Sequence, residues 1–175
     1  MSILIQRRRW LQLGLVSAAT LAVAGTGVAV WRADPALGPS GELSLPAQAI
    51  FLAVGQAVLE GSLPQGGPAR DAALAGLMER VQGVTQALPR HARAELSQLL
   101  DVLSLAPGRR WLAGLSTDWP DAPVPQVQSA LQGMRLSSLA LRQQAYQALH
   151  DVVGGAFFSD PSEWALLGYP GPLDL

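Results

Sequence analysis

The chain has 175 residues, 49% of them hydrophobic, with twelve arginines, no lysine, thirteen carboxylates and a formal net charge of −1. From Ala33 onward eight arginines face thirteen carboxylates, an acidic balance that excludes a nucleic-acid-binding surface. The absence of cysteine excludes disulfides, thiolate metal sites, covalent haem attachment and a thiol nucleophile.

The N-terminal segment reads Arg7-Arg8-Arg9-Trp10-Leu11-Gln12 and runs at once into Leu13–Trp31, an apolar stretch without a charge. It resembles a twin-arginine export signal, with Arg7 and Arg8 as the pair and Trp10 and Leu11 as the apolar contact beside them. Planar guanidinium groups bind carboxylates through two parallel hydrogen bonds, so a receptor can tell arginine from lysine. Residues 13–31 are long enough to cross a bilayer core as a helix. Ala22-Val23-Ala24 offers a small-x-small cleavage site, so removal of the signal and retention as an uncleaved anchor both stay open. Positive charge at the N-terminus places Arg7 to Arg9 in the cytoplasm and the rest of the chain outside. Such a signal is an address for export of an already folded protein, and a periplasmic location follows, with the inner membrane as the anchoring surface if residues 13–31 are kept.

Residues 34–45 contain Pro35, Gly38, Pro39, Ser40 and Gly41 and read as a linker. The folded part is expected over 46–175, as one all-α domain of four or five helices. Ile50, Phe51, Val54, Ala57 and Val58 share one helical face, and Gly61 and Pro64 end that helix. Arg70 to Leu88 follows as a second helix, with Leu74, Leu77, Met78, Val81 and Leu88 as its stripe. Pro89 opens a third, lined by Ala92, Leu96, Leu99, Leu100 and Leu103 and ended by Pro107-Gly108. Arg109 to Leu115 suits a short helical turn, and Thr117 to Pro125 a surface loop carrying Trp119. Val127 to Val153 is the longest periodic segment and is expected as one helix stopped by Gly154-Gly155. From about residue 156 the chain is expected to run as an extended aromatic tail.

The chemistry in this pattern is sparse. His91 and His150 are the only histidines, and neither has a second ligand at metal spacing. His150 and Asp151 are neighbours on a helix and are expected to point apart, which disfavours an acid/base dyad. No serine stands in a Gly-x-Ser-x-Gly elbow, and Gly66-Gly67 and Gly154-Gly155 lack the surroundings of a phosphate loop. The tail is more informative. Trp164 and the run Gly168-Tyr169-Pro170-Gly171-Pro172 place two large aromatics among residues that resist helix, so they are expected either to close this domain or to anchor another chain.

Four features together resemble a known family. They are the twin-arginine pattern, Val58-Leu59-Glu60-Gly61 with Pro64, Ala145-Tyr146-Gln147-Ala148-Leu149, and Phe157-Phe158-Ser159-Asp160-Pro161 followed by Trp164 and Leu167 to Pro172. The chain is similar to the small subunit of bacterial periplasmic flavin-dependent dehydrogenases, the group that includes gluconate 2-dehydrogenase subunit 3. The resemblance implies a non-catalytic subunit that binds no cofactor itself. It implies a large partner subunit, a flavin-dependent alcohol or sugar dehydrogenase carrying FAD, which the small subunit stabilises and escorts through the twin-arginine translocase, with a cytochrome c subunit as a further possible member of the complex. Under it, Arg7, Arg8, Trp10 and Leu11 engage the translocase, and Trp164, Gly168, Tyr169, Pro170, Gly171 and Pro172 grip the partner.

Two other readings compete. One is a membrane-anchored helical module that binds a small apolar ligand between its helices. The other is an autonomous enzyme built on carboxylates such as Asp101 or Asp151, for which no second group is placed to help.

Overall fold

The structure, a computed structural model, describes residues 35–168. They form an all-α bundle. Its α-helices are α1 (Leu45–Val58), α2 (Gly67–Ala87), α3 (Arg90–Ser104), the short α4 (Ala106–Gly108), α5 (Val124–Arg135) and α6 (Ala140–Phe158). A π-helical turn, Arg109–Ala113, continues α4, and 3-10 turns occupy Trp119–Asp121 and Pro161–Leu167. Among the described residues there is no strand, only an isolated antiparallel bridge between Leu37 and Leu43.

Helix α1 is the centre of the bundle. Ser44 caps it, its hydroxyl accepting from the N–H of Ala47 at 3.4 Å, with Pro46 in the first turn, where its missing N–H costs nothing. Ala47, Ile50, Phe51, Ala53, Val54, Gly55 and Ala57 are all buried, more than one stripe, because α2, α3, α5 and α6 all pack around this helix. Gly55 permits a close approach of α2, since a Cβ there would stand 2.8 Å from Cδ2 of Leu77. Helix α2 buries only Leu77, Val81 and Thr85 and lies along α6. Leu88 then turns extended before Pro89, as the residue preceding a proline does.

The segment expected as a linker is part of the fold. From Pro35 to Leu43 the chain forms a strap with Ala36, Leu37 and Leu43 buried. Its backbone donors are met by side chains of the bundle: Ala36 N–H by Asp101 Oδ1 at 3.0 Å, Leu37 N–H by the Ser97 hydroxyl at 3.1 Å, and Leu43 N–H by Gln82 Oε1 at 2.9 Å. Gly41, at φ +95, lies so close to the α2 backbone that a Cβ would stand 2.8 Å from the Thr85 carbonyl oxygen, and its own carbonyl accepts from the Thr85 hydroxyl at 2.9 Å. The Pro/Gly composition marks irregular backbone, and here that backbone is packed because side chains satisfy its polar groups.

Three further expectations change. The third helix ends near the expected place, at Ser104 with Leu105 extended, but Pro107-Gly108 is not itself the stop. It lies within α4, which leads directly into the π turn, and Gly114 at φ +72 ends the run. The expected single helix 127–153 is two helices broken at 136–139. There the Ser137 hydroxyl accepts from Leu139 N–H at 3.2 Å and the Ser137 carbonyl from Gln143 Nε2 at 2.7 Å, a local serine pattern that competes with the helical ladder. Gly154-Gly155 does not end α6, which runs on to Phe158. Two glycines cost about 2 kcal/mol of helix propensity, and burial of Val152, Val153, Ala156 and Phe157 outweighs that, at about 1.5–3 kcal/mol per large apolar side chain.

Trp119 is 3% exposed, and its indole N–H donates to the Leu103 carbonyl at 2.9 Å. It serves packing. Beside it, Arg109 is buried at the π turn and pairs with Asp118 at 2.5 Å.

Candidate partner-binding surface

The C-terminal end of α6 is built by a cation from α2. Arg80 donates from Nε to the Ala156 carbonyl at 3.0 Å and from Nη1 to Asp160 Oδ2 at 3.2 Å, so it satisfies one of the open carbonyls of the helix end and fixes the turn that follows. Asp160 is held further by Ser162, whose hydroxyl donates to Oδ1 at 2.7 Å and whose N–H donates at 3.0 Å. These Ser162 bonds first, and Arg80 in addition, hold the Asp160 carboxyl below the usual carboxylate range.

From this clasp the chain enters the 3-10 turn Pro161–Leu167. The turn brings Trp164 back, and its indole N–H donates to the Phe158 carbonyl at 2.8 Å. Trp164 is half-buried. Phe157, buried, stacks edge-on against Phe158 with ring centroids 5.1 Å apart, and Phe158 remains 37% exposed. Gly168 follows at φ +65, a left-handed turn that suits glycine. The first part of the tail is therefore folded rather than extended. The helix takes in residues 156–158, and one 3-10 turn presents Phe158 and Trp164 on an aromatic surface. Tyr169, Pro170, Gly171 and Pro172 lie outside the described residues, as do Arg7, Arg8, Trp10, Leu11 and the apolar run 13–31.

The other candidate chemistry is dispersed. Among the described residues no group of three or more His, Asp and Glu could hold a metal ion. No described helix is long and apolar enough to cross a membrane. His150 Nδ1 and Asp151 Oδ1 approach to 3.6 Å, both side chains largely exposed. The expected divergence of these neighbours gives way to an approach of their tips, and the Tyr146 ring lies tilted against His150 at 5.4 Å between centroids. Asp101 serves the strap.

An open cleft of about 610 Å³ runs between the strap and α3, bordered by Pro35, Leu37, Pro39, Arg90, Arg93 and Gln98. It is a surface groove with two arginines, unlike an enclosed apolar site between helices. Arg93 is spent on structure, donating to the carbonyls of Pro39 at 2.6 Å, Gln86 at 3.0 Å and Leu88 at 2.9 Å. The arginines that organise the surface, Arg80 and Arg109, had no sequence signal of their own, because each finds its partner through tertiary packing.

Compared with models of known protein families, with curated proteins and with solved structures, the chain finds no match.

Proposed function

We propose that this protein is a non-catalytic small subunit that binds a folded flavin-dependent dehydrogenase, stabilises it and carries it through the twin-arginine translocase. The observation that supports this reading best is the C-terminal aromatic surface. Trp164 is tied to the Phe158 carbonyl at 2.8 Å yet only half-buried, beside Phe158 at 37% exposure. Two rigid aromatics with their polar groups already satisfied form the kind of anchor that binds another protein at low entropic cost. The sequence continues from this surface as Gly168-Tyr169-Pro170-Gly171-Pro172, the run that carries the family resemblance. Arg7, Arg8, Trp10 and Leu11 serve as the translocase signal for both subunits. FAD belongs to the partner, and binding only the native partner stabilises it by mass action.

The test is to purify the tagged full-length chain from its native membranes and periplasm and to record the absorbance spectrum of the eluate. The expected result is a co-purifying large subunit with flavin bands and dye-linked dehydrogenase activity. A solitary, colourless chain overturns the reading.

A further inference from the structure

The end of the bundle opposite the aromatic surface exposes three large apolar side chains, each on a turn rather than on a helix face. Trp111, on the π turn, is 60% exposed, and Leu136 and Leu139, at the corner between α5 and α6, are 68% and 50% exposed. The two turns are neighbours, since Nε of Arg142 donates to the Leu112 carbonyl at 2.8 Å. Arg110 and Arg135 are exposed beside these apolar residues, and Arg142 is half-exposed. Three of the eight arginines that follow Arg32 lie here, in a domain that is otherwise acidic. Asp118 does not cancel this charge, because it is paired with the buried Arg109. An apolar tip of tryptophan and leucine within a ring of arginines is the composition that seats at the interface of an anionic bilayer.

The path of the strap supplies a second, independent argument. It runs antiparallel to α3, with Ala36 opposite Asp101, Leu37 opposite Ser97 and Pro39 opposite Arg93. The chain therefore joins the bundle at the C-terminal end of α3, from which α4 and the π turn continue. Only Arg32, Ala33 and Asp34 separate the apolar run from Pro35. That stretch spans at most about 14 Å even when fully extended. A bilayer holding residues 13–31 thus lies against the same end of the molecule.

From these observations we infer that Trp111, Leu136 and Leu139, ringed by Arg110, Arg135 and Arg142, dock on the surface of an anionic phospholipid bilayer. The inference rests on the reading of residues 13–31 as a retained anchor. Docking fixes the domain upright, with the aromatic surface of Phe158 and Trp164 held away from the membrane by the length of α6, about 28 Å for its 19 residues.

The native chain has no cysteine, so single labels are unambiguous. A nitroxide is placed on full-length Leu136→Cys and, as a control at the far end, on Gly155→Cys, where an added side chain meets nothing within 4 Å. Each is reconstituted in vesicles of phosphatidylcholine with phosphatidylglycerol. The expected result is that the label at 136 collides mainly with lipid-soluble oxygen and the label at 155 mainly with an aqueous nickel chelate. Arg110→Gln and Arg135→Gln should each lower the docked-to-undocked ratio about fivefold, and pure phosphatidylcholine should lower it further. A chain that floats with the vesicles while the label at 136 stays as water-exposed as that at 155 overturns the docking and leaves the anchor standing. A chain that does not float overturns both. Burial of the label at 136 only when the co-purified large subunit is added makes the patch a protein interface and overturns the membrane assignment.

Discussion

Gly41 joins the strap to the bundle through a contact that no side chain tolerates. Its φ of +95 already disfavours an L-residue, and a Cβ would stand 2.8 Å from the Thr85 oxygen and 2.9 Å from Gln86 Cα. Both obstacles are backbone, so neither can rotate away. Gly41→Ala is expected to lower unfolding stability by about 2–4 kcal/mol, read by urea denaturation. A substitution as well tolerated as Gly155→Ala, in open space, would show that the strap is not packed in solution. Asp118→Asn tests a different kind of residue. It leaves the Arg109 guanidinium buried without its anion, and since Asp118 is itself largely exposed the expected loss is about 2 kcal/mol, below that of a fully enclosed ion pair. Asp160 gives a pH prediction. Its folded pKa lies below the unfolded value, so its contribution is complete above the ordinary aspartate range and is lost as the pH falls through the lowered folded pKa. Asp160→Asn should flatten that acid limb of the stability profile without changing its neutral plateau's pH independence, and an unchanged acid limb would remove Asp160 from the account.

At the scale of elements, the 3-10 turn after α6 is where fold stability and the proposed recognition can be told apart. Trp164 is half-buried, and its hydrogen bond goes to a backbone carbonyl one turn away. Trp164→Ala should therefore cost about 1 kcal/mol or less of fold stability but weaken partner binding by about 2 kcal/mol or more, measured as the partner recovered per tagged subunit. An equal loss in both would make Trp164 a core residue of this domain. The helices themselves were legible because their apolar stripes keep a 3.6-residue period: Ile50, Phe51, Val54 and Ala57 are all buried, as that period requires. The break at 136–139 was not legible, since Met134 and Leu141 are seven residues apart and hold the same helical phase across it. The strap was misread for a complementary reason. Proline and glycine report that a segment is irregular, but only the arrival of Asp101, Ser97 and Gln82 from other elements decides whether it is buried. The aromatic tail was legible in composition, while its folding depended on the Arg80 clasp, whose partners are 76 and 80 residues away.

On the scale of the whole molecule, α6 joins two ends for which different tasks are proposed. Its N-terminus meets the π turn through Arg142, and its C-terminus carries the Arg80 clasp and the aromatic surface. The described chain enters the bundle at the first of these ends, with Ala36 beside Asp101, while the proposed grip on the partner lies at the other. That separation lets the two be tested independently. Changing Arg7 and Arg8 together to lysine keeps the charge and removes the planar two-bond fork that distinguishes arginine. The variant should still capture the large subunit. Export of both subunits should fall together, with the complex accumulating in the cytoplasm and dehydrogenase activity lost from the periplasmic fraction. Unimpaired export would assign residues 7–31 to an ordinary secretory route or to simple membrane insertion, and export of the small subunit alone would place the partner's address elsewhere. A complex that fails to assemble in this variant would mean that the signal itself contributes to binding.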